Sequence, residues 1–532
     1  MSPFRYTHKH HYIILVSLGL LTLLVRWPFQ GPYLYDGDPV AYFVGAESLL
    51  NTGTYFIDGK IPFWPIGTSI TLAPFVWFFQ SVLNMNGEYA SFWHGFLFAY
   101  LTVAFIYLIG KRLLDMQTGI IAAVLFSLAE SPFLHSINAA SDLGAIAMLT
   151  GAILFMLRFL DNQSPWQLLL SMFLLGAAIV FRWNYIFFIP LLFIYLVGDK
   201  RIWAFTLVPS FWILSALGFL LGIIPQLITN YSHYQNPFIL GYSELDISSQ
   251  FSFSPIIWSL NFIRILYRVL FTWDFYSPLL AFVGLFGIVS LWNKLRRDVF
   301  WWFVPWIVLG AGSVVYFGVK PRLLIPIMPP LFLIGGHGVS VVFAVAKKQL
   351  RNTKIPPRLA LWVLGFFGVL VFLPIFSRTL ITAHGHHQEK IQMQKVFRWV
   401  GENSDPETLI ITQSEYAGQN HDWQRAGWDI WASKRYSNRN MASLSHPEYW
   451  KENENTLLVI NEFWFQGENM RLDDTRETGQ RFDSLKVARN MELIQEFVGK
   501  SEPLFLKKLN MLSFYPIDFM VYRPRFQVWK SR

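Results

Sequence analysis

Apolar runs of roughly 16–20 residues recur through the first 377 of the chain's 532 positions. A helix needs about 20 such residues to cross a ~30 Å hydrocarbon layer. Inside that layer the backbone finds no water to bond, so only helices and closed barrels can span it. The runs are continuous rather than alternating, which excludes a barrel. Composition agrees, with 53% hydrophobic and only 14% charged side chains, against roughly 25% charged in a soluble domain. A soluble single domain and a disordered chain are both excluded. The chain has no cysteine, so disulfides, thiolate metal sites and cysteine nucleophiles are excluded as well.

The net charge of +9 is unevenly placed: residues 1–377 carry +8 and residues 378–532 carry +1. The excess lies between the apolar runs, where the positive-inside rule puts it. A basic face for nucleic acid needs a soluble surface instead, so no nucleic-acid partner is expected.

Met1–His11 is basic and leads into Tyr12–Phe29 without a small-residue cleavage signature, which reads as a retained first span. Further spans are expected near 89–109, 117–134, 142–158, 166–181, 183–198, 205–224, 277–292, 299–318, 323–345 and 359–377. With the N-terminus cytoplasmic, Lys111/Arg112, Arg158, Lys200/Arg201, Lys294/Arg296/Arg297 and Lys347–Arg358 all fall inside. The external loops are then 30–88, 135–141, 225–276 and 319–322. Thr68–Leu83 is apolar, but a crossing there would invert every later basic loop; short and holding Pro74, it is assigned to the interface or a re-entrant position. The expected fold is an α-helical polytopic membrane protein of about eleven spans, residues 1–377, followed by an extracytoplasmic α/β domain, residues 378–532.

Two loops hold helical patterns: Pro39–Leu50, read as amphipathic, and Pro255–Phe271, with Arg264 and Arg268 at i,i+4 among bulky apolar residues. The second suits a helix lying along an interface with its cations toward headgroups. In the tail, a helix is expected at Gln388–Glu402 and strands at Thr408–Thr412, Thr456–Asn461 and Phe519–Trp529.

The densest polar cluster beside the membrane is Tyr35-Asp36-Gly37-Asp38-Pro39-Val40-Ala41-Tyr42. Two carboxylates one residue apart suit a general base or metal ligands. Asp38 before Pro39 equally suits a helix cap with proline at the first helical position. Arg182 sits in an apolar run, where an ionisable group faces a cavity or partner or else snorkels to the interface. Lys320 and Arg322 stand on the external side against the charge trend, which suits an anionic group such as a phosphate, or a plain interface anchor. Asp142, with His135 and Asn138, falls on the same side. No phosphate-binding loop, dinucleotide fingerprint, His-Glu-x-x-His or serine elbow is present.

In order along the chain, these elements resemble the GT-C fold glycosyltransferases that use polyprenyl-phosphate sugars, of the protein-mannosyltransferase and lipid A aminoarabinose-transferase type. The pattern is carried by Asp38, Tyr42 and Ala46–Leu50, then Phe63–Gly67, Ser141-Asp142, Gly176…Arg182, Asn230-Tyr231…Asn236-Pro237 and Pro321-Arg322-Leu323-Leu324-Ile325-Pro326. Many members have adjacent Asp-Glu in the first loop where this chain has Asp36-Gly37-Asp38, and Leu323 replaces a tyrosine.

The resemblance implies a plasma-membrane enzyme, inverting, with its active site and C-terminal domain extracytoplasmic. Its donor would be a sugar on a polyprenyl phosphate and its acceptor a glycan, lipid or protein. Asp38 is the implied base with Asp36 second, and Arg322, Lys320 and Arg182 the implied phosphate cations. Tyr42, His135 and Asp142 would shape the sugar pocket. A divalent metal ion is left open. Two other readings stay in view: an O-antigen-ligase or polymerase-like relative using Arg264 and Arg268, and a lipid-substrate transporter or flippase.

Overall fold

The computed structural model describes residues 8–32, 34, 37–57, 61–62, 64–198, 208–239, 255–271, 276–293, 297–315, 321–352, 357–412, 435–443, 455–461, 491–498 and 525–531. By contacts the chain divides into two units: Met1–Gln30 with Tyr42–Thr379, and Gly31–Ala41 with Leu380–Arg532.

The first unit is helical. Its leading elements are α1 (His8–Arg26), α2 (Gly37–Thr52, which enters this unit at Tyr42), α3 (Gly67–Trp77), α4 (Tyr89–Leu113), α5 (Met116–Leu128) and α6 (Glu130–Ser136). Next come α7 (Ser141–Asn162), α8 (Pro165–Phe181), α9 (Ile189–Gly198), α10 (Pro209–Tyr234), α11 (Pro255–Phe271), α12 (Pro278–Asn293), α13 (Arg297–Val315) and α14 (Met328–Asn352). The last helix, α15 (Pro357–Asn403), starts here and continues into the second unit.

Among the described residues five helices are long and apolar enough to cross a membrane, and a sixth crossing is formed if the pair α5–α6, bent by 63°, counts as one. Their burial separates their roles. The span on α7 is 83% buried inside the protein, whereas that on α1 is 22% buried and so faces outward. Around α7, α8 packs on one side and α10 packs on α8. A Cβ at Gly176 would strike the Phe219 carbonyl, and one at Gly222 the Phe173 carbonyl. Lipid gives no hydrophobic push between helices, so this backbone contact through small residues is what lets α8 and α10 pair.

Several expected elements differ. The single run 117–134 breaks at Ala129. The break frees carbonyls at the C-terminal end of α5, and two neighbours satisfy them. Arg26, wholly buried, donates to Ser127 O and to the Ser127 and Ser136 hydroxyls. Thr379 Oγ1 lies 2.7 Å from Leu128 O. Glu130 opens α6 and pairs with Arg378. The helix expected at Pro39–Leu50 exists, but its first half is buried (Val40, Ala41, Tyr42, Phe43, Ala46) rather than laid on an interface. The run 183–198 begins as a 3-10 turn, Trp183–Phe188, before α9. Thr68–Leu83 forms α3 and a π-helical turn, Phe78–Val82. The loop expected from 225 starts later, because α10 runs on to Tyr234. The separate stretches 359–377 and Gln388–Glu402 are one helix, α15.

The second unit pairs the end of α15 with a sheet of β1 (Leu409–Thr412), β2 (Asn440–Ser443), β3 (Thr456–Asn461), β4 (Met491–Val498) and β5 (Arg525–Ser531), in the order β2-β1-β3-β5-β4. β1 pairs parallel with β2 and β3, whereas β5 pairs antiparallel with β3 and β4. Met393, Val396, Phe397 and Val400 recur at helical spacing and bury against Ile410, Leu457, Val459 and Val528. On the same helix Gln394 Nε2 donates to Pro32 O at 2.7 Å, which ties the Gly31–Ala41 segment into this unit.

Candidate active site

α8 ends because Arg182 leaves helical geometry, with φ −151° and ψ 124°. α7 begins at Ser141 after an extended Ala140. Since α7 and α8 pack together, the end of one meets the start of the other. Arg182 pairs there with Asp142, at side-chain exposures of 15% and 6%. Asp142 stands in the first turn of α7, where unpaired N–H groups and the helix dipole favour an anion. An ion pair this dry has a real desolvation cost, and removing one partner leaves a buried charge.

Two more elements close on the pair. Arg182 Nη1 lies 3.5 Å from Ser141 Oγ, and Tyr42 OH donates to the same oxygen at 3.0 Å. Tyr42 is wedged edge-on to Trp64 at 6.5 Å, and its carbonyl accepts from Ser69 Oγ at 2.9 Å. α3 therefore grips α2, and α2 presents Tyr42 to the head of α7. α3 is itself pinned to α4 by Thr71 and the buried His94, 2.9 Å apart.

The structure brings together Tyr42, Asp142 and Arg182 from the expected set. His135 is half-buried on α6, its Nδ1 turned to Ser131 O at 2.7 Å rather than to the pair. Arg322 heads a 3-10 turn, Pro321–Ile327, that packs on α6 and α7. Asp38 lies in the first turn of α2 and not at its cap, because the helix starts at Gly37. It stands one turn before Tyr42, on the helix face that carries the tyrosine. Asp36 and Lys320 lie outside the described residues. Among the described residues no three His, Asp or Glu side chains converge as a metal site.

Sequence reading missed Tyr185, which is buried three residues past Arg182 with its amide bonded to Arg182 O at 3.1 Å. It also missed Glu130 and Arg26. An acid inside the run 117–134 was the available signal, since charge in an apolar run marks a partner or a break.

A carboxylate–guanidinium pair, a serine and a tyrosine thus gather where α2, α7 and α8 meet in a helical membrane protein. The architecture around them is that of the GT-C membrane glycosyltransferases. Residues 70–228 match the family model for dolichyl-phosphate-mannose-protein mannosyltransferase. The chain is similar to ArnT from Cupriavidus metallidurans bound to undecaprenyl phosphate, at TM-score 0.54 and 13% identity over 98% of both chains. The apo state of ArnT matches at 0.54 and 12% over 98% of both. It is also similar to the archaeal oligosaccharyltransferase AglB from Archaeoglobus fulgidus, in complex with an inhibitory peptide and a dolichol-phosphate. That match has TM-score 0.53 and 14% identity over 85% of this chain and 69% of that one. No curated protein matches the chain by sequence.

Proposed function

We propose that this protein transfers a sugar from a polyprenyl-phosphate donor to an acceptor on the extracytoplasmic side of the membrane, with inversion at the anomeric carbon. The observation that carries the reading is the Tyr42–Ser141–Asp142–Arg182 network at the meeting of α2, α7 and α8. The fold and the match over residues 70–228 support the same class. Both named relatives hold a polyprenyl phosphate, undecaprenyl in ArnT and dolichol in AglB.

Asp38 takes the proton of an acceptor nucleophile as that atom bonds to the sugar's C1. The C1–O bond to phosphate breaks, and its electron pair stays on the leaving phosphate. A cation aimed at that charge stabilises the transition state. Arg322 has this role in the proposal, with Lys320 beside it in sequence. Arg182, already paired with Asp142, orients that carboxylate toward sugar hydroxyls; Tyr42 and His135 have the role of shaping the sugar pocket in the proposal. The sequence sets Asp36 two residues before Asp38, carboxylates of the kind a divalent ion takes, and such an ion would add positive charge there. The N-terminus is then cytoplasmic and the C-terminal domain extracytoplasmic.

Purified protein incubated with a panel of polyprenyl-phosphate sugars tests the reading through release of the lipid phosphate. Release with one sugar, together with a product of opposite anomeric configuration, is the expected result. Flux of an unaltered lipid-linked substrate across vesicles, without release, would replace the transferase with the flippase reading.

A further inference from the structure

α11 is a two-faced helix. Asn261 and Ile265, 4% and 3% exposed, point inward, and the helix packs on α12 and α13. Ile256, Leu260, Ile263, Tyr267 and Phe271 all share the opposite side and are exposed, Ile256 at 73% and Phe271 at 64%. At 100° per residue these five fall within one narrow stripe. Arg264 and Arg268 stand one turn apart on one edge between the stripe and the inward face, and the other edge carries Phe262 and Leu266. The charge is therefore one-sided. A helix packed inside a bilayer has no use for such an edge, whereas one lying at the bilayer surface sinks its stripe and turns its cations to headgroup phosphates.

We infer that α11 is a docking surface for anionic phospholipid: the Ile256–Phe271 stripe enters the acyl layer while Arg264 and Arg268 hold headgroup phosphates. Phospholipid phosphate, rather than substrate phosphate, is the partner because the two cations flank five exposed apolar side chains. A soluble anion would leave that stripe in water. The inference stands apart from the transferase reading, since it concerns which lipids surround the helix and not what reacts.

The chain has no cysteine, so Ile263→Cys provides one labelling site in the full-length protein. A fluorophore there is read in nanodiscs containing brominated phosphatidylglycerol or brominated phosphatidylcholine at equal mole fraction. Quenching by both lipids with phosphatidylglycerol preferred is the expected result. The preference drops about fivefold for each arginine removed by Arg264→Gln and Arg268→Gln, and Arg→Lys at both positions keeps most of it. High salt erases the preference in the unmodified arginine background, which needs no further variant to fold. No quenching by either lipid would mean that protein covers the stripe. Equal quenching by the two lipids, or a preference untouched by both glutamines and salt, would mean that the cations serve elsewhere. Each of these results overturns the inference.

Discussion

Two helix breaks in the first unit each bring an arginine to a helix end, and they are built for different ends. At the α5–α6 break, Arg26 meets carbonyl and hydroxyl oxygens and lies 4.5 Å over the Phe133 ring. Those acceptors include Ser127 O, freed by the break itself. At the α8 break, Arg182 meets a carboxylate on a different helix, and both side chains keep some exposure. A guanidinium spent on backbone carbonyls closes a helix end. One paired with a carboxylate beside a tyrosine and a serine joins three helices through their polar side chains. In the proposed reading the first is architecture and the second a site, although a hydropathy plot scores both as a charge near an apolar run.

The largest effect that sharpens this contrast is Asp142→Asn. It leaves the Arg182 charge buried without its partner, which costs about 3–5 kcal/mol, and transfer falls at least about 100-fold through lost orientation. Combining it with Arg182→Gln recovers part of the stability loss, with a coupling of about 0.5–3 kcal/mol between the two sites. Thermal unfolding of the detergent-solubilised variants measures both; additive losses would mean that the pair is not a unit. Next comes Arg26→Leu, which orphans the Ser127 carbonyl at about 1–3 kcal/mol for each group left unpaired. Its Tm falls, yet kcat per folded molecule stays near wild type. A selective loss of kcat with unchanged Tm would break the contrast by putting Arg26 in the chemistry.

The smallest effect lies in the second unit. Burial, reinforced by Lys390 and His384, pushes the His387 imidazole down to about 3. The folded unit therefore holds His387 neutral, whereas the unfolded chain takes up a proton near its ordinary pKa of about 6.5. Stability from this group is complete above that value and declines as pH falls toward 3. Hydrogen exchange in β1 and β3 measured down the pH scale should show weakening protection that His387→Gln makes shallower. Identical profiles would remove His387 as the cause.

Much of the helical frame was legible because a span advertises itself by length and apolarity. What escaped was the punctuation. Glu130 inside 117–134 marked a break, but an average over the run conceals one acid among leucines and phenylalanines. α15 passes without interruption from apolar Leu361–Phe376 into polar Gln388–Asn403, because helical hydrogen bonds do not depend on which solvent the side chains prefer. In the second unit Thr456–Asn461 was read to the residue and Leu409–Thr412 to within one. β2 and β4 went unseen, and they are the two edges of the sheet. An edge strand buries less and so alternates less clearly; Asn440–Ser443 has one large apolar side chain, and β4 is exposed or half-buried along most of its length. In the network, Asp142 and Arg182 were legible as polar residues at the edges of apolar runs, and Tyr42 as the end of the polar cluster that follows the first span. That Ser141 joins Tyr42 to Arg182 is tertiary information which no spacing contains.

The most direct test of the proposed chemistry is single-turnover transfer by purified Asp38→Asn protein beside the wild type. The amide keeps the shape of the side chain and removes its basicity. Transfer should fall by about 100- to 10,000-fold, the contribution of a general base, while donor binding and Tm remain unchanged. Wild-type turnover by the folded Asp38→Asn protein would contradict the account.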